Sequence, residues 1–210
     1  RLHQTLKEMN INKNTIIVFS SDHGGLSNDG FKGERHLATT NLPLKAGKGH
    51  LYEGGIKVPL FVKWSDQLKP RVDNESIVIG MDVFPTLLEL AISKKVDGID
   101  GQSYVSVLKE KESWKNRIVF WHSSKARPHS TGDSKASVVR SGDYKLIHFF
   151  EKDKVELYNL KEDVGEENDL SIKESVRTTQ MLQLLKDWKK EVLVPERLNV
   201  GKKNKDGKKG

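Results

Sequence analysis

The stretch that decides the fold is TIIVFSSDHGG at residues 15–25, followed by NLPLKAGKGHLYEGGIKVPLFVKW at residues 41–64. The run 15–19 consists of five apolar or β-branched residues and then stops at polar residues and two glycines. A helix would need a longer apolar pattern, so this run predicts a buried strand. The run VPLFVKW at 58–64 predicts a second strand, because a proline is tolerated at the start of a strand.

The residues that follow the first strand carry candidate binding chemistry. In open α/β sheets, ligands bind just beyond the carboxyl ends of the strands, and Asp22 and His23 occupy that position. Lys48 lies between two glycines, where its ammonium group can face an anion over bare backbone. We therefore predict a metal-binding pair and an anion-binding lysine on one segment. The structural alternative for the pair is an aspartate cap followed by a turn histidine.

The composition is typical of a globular protein. Hydrophobic residues make up 35% and charged residues 31% of the 210 positions, and no apolar run approaches the roughly 18 residues of a membrane span. The net charge is +7, but residues 201–210 hold five lysines and one aspartate, which leaves 31 basic and 28 acidic residues elsewhere. We interpret this tail as solvated and disordered rather than as a binding arm. The sequence contains no cysteine, which excludes disulfides, thiolate zinc sites and a cysteine nucleophile within these residues.

The order of the predicted elements divides the chain in two. Residues 1–9 have the pattern of an amphipathic helix without a starting methionine, so we expect the chain to be part of a longer protein. Within residues 1–111, strands alternate with helices. A brief strand at 76–79 precedes a helix at 83–90, for which Asp82 is the predicted cap. This alternation predicts the layered α/β class.

Between residues 112 and 200 the pattern changes to short strands joined by turns. We predict an antiparallel meander and then a helix that opens with Ser171 and Glu174 at capping-box spacing. The predicted strands are 117–121, 137–140, 144–149 and 155–158. The helix has an apolar stripe that we expect to cover one face of the meander. The stripe consists of Ile172, Val176, Leu182, Leu185, Trp188 and Val192.

The motifs SDHGG, GKG and YEGG, with a basic residue before VP, stand in one order along the chain. In this order they resemble the sulfatase family of the alkaline-phosphatase-like superfamily. The segments MDVFPTLLELA, DGIDGQS and SGDYKLI…VELYNL are also similar to the C-terminal half of sulfatases, so the resemblance covers roughly residues 1–195. It implies the C-terminal part of an α/β/α sandwich (1–111), a small antiparallel β-sheet subdomain with a C-terminal helix (112–200), and the basic tail.

The resemblance implies that Asp22 and His23 are two ligands of a divalent cation, typically Ca²⁺, whose other ligands are aspartates earlier in the protein. Calcium prefers oxygen ligands, whereas an imidazole suits Mn²⁺ or Zn²⁺ better, so these metals are alternatives. An Asp-His pair also resembles the metal ligands of phosphatases and phosphonate hydrolases in the same superfamily. The run GKGHLYEGG favours the sulfatases.

The resemblance gives Lys48 a catalytic and substrate-binding role, in which it contacts the sulfate ester and its leaving oxygen. A fixed cation at that place stabilises the charge that develops on the departing alkoxide. Residues 52–55 are implied to be scaffold, with Glu53 paired to a nearby base. Lys45 and Lys57 stand where the family often has arginine, and lysine lacks the bidentate fork of arginine.

Two histidines outside these motifs are further candidates for substrate binding. His36 falls in the long polar loop 24–49, whose length favours a functional loop. His122 ends a predicted strand and precedes a basic loop with Arg127 and His129, which we expect to contact a sulfated sugar. For each histidine, a solvated side chain is the alternative.

The family nucleophile is a formylglycine made from a Cys or Ser followed by Pro and Arg, and this motif does not occur in the sequence. We therefore predict a fragment of a sulfatase that hydrolyses sulfate esters of polysaccharides or other glycans and is inactive by itself. The alternatives are a phosphoesterase or phosphonate hydrolase of the same superfamily, and a non-catalytic module that binds acidic glycans or nucleic acid. Expected partners are a sulfated carbohydrate and the missing N-terminal part of the same protein, with neither nucleic acid nor a membrane span. Family habit implies a periplasmic or secreted protein.

Overall fold

The computed structural model describes residues 1–27, 36–124 and 135–192. The predicted loop residues Arg127 and His129 and the tail 201–210 lie outside these described residues.

A two-stranded antiparallel sheet stands at the start of the fold. Helix α1 (Leu2–Glu8) leads into strand β1 (Ile16–Ser20), which pairs along its length with strand β2 (Leu60–Trp64). The short helix α2 (Glu53–Ile56) directly precedes β2. Both segments form strands as predicted, and β1 ends at Ser20, just before the Asp-His pair. The prediction that β1 is buried is wrong, because Phe19 is 61% exposed and the other apolar side chains of β1 are only partly buried.

The predicted strand at 76–79 is wrong. Residues 76–79 have no regular secondary structure, although the buried Ile77 donates its N–H to the carbonyl oxygen of Trp114 at 3.3 Å. A single backbone hydrogen bond does not form a β-ladder, so Ile77 is buried although its segment is not a strand.

Helix α3 (Val83–Ile92) and helix α4 (Val105–Leu108) complete the first half, and Asp82 does not cap α3 as predicted. Its backbone is already in the helical region, whereas a capping residue is usually extended. The fully buried carboxylate of Asp82 accepts hydrogen bonds from the N–H groups of Ile79 and Gln102 at 2.8 and 2.9 Å and pairs with Arg117. Asp82 therefore ties α3 to the start of the meander.

The predicted antiparallel meander is confirmed. Its strands are β3 (Ile118–Ser123), β4 (Ala136–Ser141), β5 (Tyr144–Phe149) and β6 (Lys154–Asn159), hydrogen-bonded in sequence order. Helix α5 (Ser175–Glu191) packs on one face of it. The buried side chains of that interface are Val139, Leu146 and Leu157 from the sheet and Met181 and Leu185 from the helix.

The prediction of the α5 stripe is correct only in its central part. Ile172 is 91% exposed and Val176 is 72% exposed, while the buried Met181 was absent from the predicted stripe. The helix begins at Ser175, and residues 171–174 form turns in which Asp169 accepts the N–H of Ser171. The predicted capping box at Ser171 and Glu174 is therefore wrong.

The second face of the meander packs against the motif-bearing segment. Leu51 and Tyr52 lie against a cluster formed by the buried residues Ala136, Val138, Ile147, Phe149 and Tyr158. The candidate site is thus attached to the opposite side of the sheet from α5. In the described part of the chain, no helix combines the length and apolar content that crossing a membrane requires.

Candidate functional site

Three glycine-bearing backbone segments meet at the candidate site. The N–H of Gly24 donates to the carbonyl oxygen of Gly55 at 3.0 Å, and the N–H of Lys48 donates to that of Gly25 at 2.9 Å. A methyl group on Gly24 would lie 1.7 Å from the carbonyl oxygen of Gly54, well inside van der Waals contact. The glycines of SDHGG, GKG and EGG are therefore needed because these backbones touch one another.

Asn41 joins two of these segments and was not singled out from the sequence. Its side-chain oxygen accepts the N–H of Gly25 at 3.0 Å, and its amide nitrogen donates to the carbonyl oxygens of Gly25 and Ala46 at 2.9 and 3.0 Å. A single asparagine in a polar loop belongs to no sequence pattern that would predict its hydrogen bonds to Gly25 and Ala46. Its role becomes visible only in the folded chain.

Asp22 and His23 lie together beyond the end of β1. The His23 Nδ1 is 2.8 Å from the carbonyl oxygen of Gly24, which can only accept, so Nδ1 carries the proton of this hydrogen bond. The other ring nitrogen, Nε2, lies 3.2 Å from the Asp22 carboxylate. With the proton on Nδ1, Nε2 and the carboxylate are both acceptors, and one cation bound between them would satisfy both.

The donor set fits part of a metal site. An imidazole whose Nδ1–H is fixed by a carbonyl presents Nε2 to a metal, as is usual for metal-bound histidines. The spacing of 3.2 Å allows both atoms to bind one cation, and the Asp22 side chain is 84% exposed. Among the residues that the structure describes, no group of three or more histidine or carboxylate side chains could hold a metal ion. The pair could therefore supply two ligands of a metal ion but not a complete site.

Lys48 is exposed and lies between the two glycines of the GKG segment. Its backbone is hydrogen-bonded to Gly25, two residues after His23, so the structure brings the backbone of the candidate lysine beside the Asp-His turn.

The other two histidine candidates do not join this group. His36 is exposed at the edge of the described residues. His122 lies opposite Ser137 in the sheet, on the same face as Phe120, which stacks on Trp188 of α5. Its Nδ1 is 2.7 Å from the Ser137 hydroxyl, and burial, with the charge of Lys189, lowers its pKa. The structure thus places His122 on the face of the meander away from Tyr52.

A buried charged cluster attaches the candidate site to the meander. The Lys145 ammonium lies 2.9 Å from one carboxylate oxygen of Glu53 and 2.8 Å from one of Glu166. Glu53 is therefore paired with a base, as predicted. The contact with Glu166 is an ion pair without directed hydrogen-bond geometry. Burial outweighs it and raises the pKa of Glu166.

Lys45 belongs to the same region. Its ammonium donates to the backbone carbonyl oxygen of Glu166 at 2.8 Å and lies 4.4 Å from the centre of the Tyr52 ring. The same ammonium also donates to the Tyr158 hydroxyl at 3.4 Å, so lysine makes these contacts without the planar fork of arginine.

Comparison with known proteins identifies the family. Residues 46–193 match the family described as N-sulphoglucosamine sulphohydrolase, C-terminal. The chain belongs to this family, and it corresponds to a C-terminal portion of the sulfatases of the alkaline-phosphatase-like superfamily. The resemblance seen in the sequence and the predicted fold class are confirmed.

Among the similar proteins is a sulfatase of Formosa agariphila, 36% identical over 170 residues that cover 76% of this chain and 29% of the relative. An N-acetylglucosamine-6-O-sulfatase of Bacteroides thetaiotaomicron is 28% identical over 198 residues, covering 91% of this chain and 33% of the relative. The chain thus spans about a third of the length of these relatives.

Solved structures of similar fold were also found. The structure of Ps i-CgsB in complex with k-i-k-neocarrahexaose has a TM-score of 0.72 at 26% identity, covering 89% of this chain and 39% of that one. A phosphonate monoester hydrolase from Silicibacter pomeroyi has a TM-score of 0.59 at 16% identity, covering 92% and 38% of the two chains, and shares the fold alone.

Proposed function

We propose that this chain is the C-terminal part of an enzyme that hydrolyses sulfate esters of sulfated glycans. Lys48 is the proposed anion-binding catalytic residue, and Asp22 and His23 are the proposed metal ligands. The observation that carries the proposal is the backbone hydrogen bond between Lys48 and Gly25, which holds the lysine segment beside the Asp-His turn. Sulfatases among the relatives support the substrate class, one of them named for N-acetylglucosamine 6-O-sulfate chemistry.

The chemistry follows from the charge that develops as the ester bond breaks. Departure of the alcohol places negative charge on its oxygen, and the Lys48 ammonium stabilises that charge in the transition state. Asp22 and His23 would hold a divalent cation, which supplies positive charge to the remaining sulfate oxygens. Calcium is the proposed metal, with manganese or zinc favoured if the imidazole dominates the choice.

The nucleophile of this proposal lies outside these 210 residues. A formylglycine in the N-terminal part of the same protein would attack the sulfur, and the chain alone would be inactive. Export to the periplasm or exterior, where sulfated polysaccharides occur, remains a prediction, and so does substrate contact by His36 and His122.

The test is replacement of Lys48 in the full-length protein. We expect Lys48→Ala to lower kcat/KM for an aryl sulfate by about 10²–10³-fold, the usual cost of losing one group that stabilises transition-state charge. Released sulfate is measured, and Lys48→Arg is expected to retain part of the activity. Lys69→Ala, which removes another exposed lysine, is the control and should leave kcat/KM unchanged.

Full activity of Lys48→Ala would contradict the assigned role. The same assay, run on sulfate and phosphate esters after chelation and re-addition of calcium, manganese or zinc, separates the two enzyme candidates. Phosphate-ester cleavage restored by manganese or zinc, without sulfate release, would favour the phosphoesterase instead.

A further inference from the structure

A cluster of three charged side chains is buried where apolar side chains would usually pack. It consists of Glu53, Lys145 and Glu166. Lys145 and Glu166 are completely buried, and Glu53 is 3% exposed. Arg140 approaches Glu53 to 3.7 Å, so two cations balance two carboxylates. Buried ion pairs of this kind contribute little net stability compared with well-packed apolar side chains. The hydrogen bonds that connect this cluster to the backbone are therefore the property to explain.

Those contacts lead to the two ends of the lysine segment. One carboxylate oxygen of Glu166 accepts the backbone N–H of Glu53 at 2.7 Å, and its backbone carbonyl oxygen accepts the Lys45 ammonium at 2.8 Å. The N–H of Gly54 donates back to the carbonyl oxygen of Lys45 at 2.9 Å. The segment from Lys45 to Gly54 is consequently closed into a loop, and both ends of that loop are attached to Glu166.

The same loop contacts the Asp-His turn. Gly55, next to the closure, accepts the N–H of Gly24, and Lys48 within the loop donates to Gly25. An unbroken path of ion pairs and backbone hydrogen bonds therefore runs from Lys145 in strand β5 to the residue after His23.

We propose that Glu53, Lys145 and Glu166 are positioning residues that fix Lys48 relative to Asp22 and His23. The proposal rests on the function proposed for Lys48, but its geometric part is tested without any activity. Loss of the Lys145 ammonium leaves two carboxylates buried without their shared cation, which opens the loop closure at Glu53.

The first measurement is amide hydrogen exchange in the 210-residue chain. For Gly24 and Lys48, the exchange rate is expressed relative to that of Leu146, a fully buried strand residue next to the substituted position. We expect Lys145→Met to raise this ratio at least tenfold, and Lys145→Arg, which keeps the charge, to stay within threefold of the unchanged chain.

A matched control separates positioning from general stability. Leu185→Ala creates a cavity on the α5 face of the same sheet, so it should accelerate the exchange of Leu146 without raising the ratio for Gly24 or Lys48. If Lys145→Met does not fold, Glu53→Gln replaces it, with an expected rise of at least threefold. An unchanged ratio in the folded variant overturns the proposal.

The second measurement is the kinetics of the full-length protein. We expect Lys145→Met to lower kcat at least tenfold and to change KM less than threefold, because a displaced Lys48 mainly loses its contact with the leaving oxygen, whose negative charge develops in the transition state. Raised exchange with unchanged kcat overturns the catalytic part of the proposal. If Lys145→Met raises the exchange ratio but the unchanged full-length protein hydrolyses no sulfate ester, the proposed function is overturned and the geometric part of the proposal is supported.

Discussion

The two faces of the meander are closed in different ways. On one face, the buried contact of α5 with Val139, Leu146 and Leu157 is apolar. On the other face, a segment with a single turn of helix lies against an apolar cluster and is held by ion pairs to Lys145. A regular helix satisfies its own backbone and needs only burial, whereas an irregular segment needs directed contacts to adopt one conformation. The difference indicates that the helix face stabilises the fold and the segment face sets the geometry of the site.

The largest expected effect on this comparison comes from the helix face. Leu185 is 1% exposed, and Leu185→Ala should lower the free energy of unfolding by about 2–5 kcal/mol through lost burial and a residual cavity. Urea denaturation of the 210-residue chain measures it. Val176→Ala in the same helix removes a side chain that is 72% exposed and should change stability by less than about 0.5 kcal/mol. Equal losses in the two variants would contradict the assignment of the α5 face.

The segment face is tested by a single methyl group. Gly24→Ala places a carbon 1.7 Å from the carbonyl oxygen of Gly54, so one of the two backbones must move. We expect a loss of about 1–3 kcal/mol, typical of overpacking, measured by the same denaturation. Gly80→Ala is the matched control, because a methyl group there meets no atom within 4 Å. If Gly24→Ala is as stable as Gly80→Ala, the close contact of the glycine segments does not exist in solution.

The sequence was a good guide wherever a local pattern was sufficient. The strands β1 and β2, the meander and the covering helix all follow from periodicity and turn residues, and the glycines of the three motifs mark the place where the backbones meet. The beginning of α5 was misjudged because the residues before it are held in turns by Asp169, which a capping-box spacing does not reveal.

The charged contacts could not be predicted in the same way. Lys145 is 92 residues from Glu53, and Glu166 is 113 residues from it, so no local spacing connects them. The sequence predicted that Glu53 would have a basic partner but not which one. Asp82 was likewise interpreted as a helix cap because it directly precedes a helix. Its actual partner, Arg117, lies 35 residues further on, where no local pattern connects the two. Long-range polar contacts depend on the completed fold.

The smallest expected effect is the pH-dependent contribution of Glu156 to stability on the segment face. Glu156 accepts hydrogen bonds from the Tyr52 and Tyr158 hydroxyls at 2.6 and 2.9 Å and pairs with Lys154. Burial alone would raise its pKa, but the hydrogen bonds from Lys154, Tyr52 and Tyr158 lower it below the ordinary 4.5. A carboxylate with a lowered pKa in the folded state stabilises the protein above pH 4.5, and that contribution is lost as the pH falls through the folded-state value.

Glu156→Gln should therefore be less stable than the unchanged chain by about 1 kcal/mol at pH 7, because an amide is a weaker acceptor than a carboxylate. The gap should shrink progressively below pH 4.5, as the native carboxylate becomes protonated and the two proteins approach the same charge. Thermal unfolding between pH 3 and pH 7 measures the gap. Glu151→Gln, which changes an exposed carboxylate, should show no such trend. A gap for Glu156→Gln that stays constant across this range would mean that the carboxylate is not stabilised by these hydroxyl contacts, and that this face is held by apolar packing as the α5 face is.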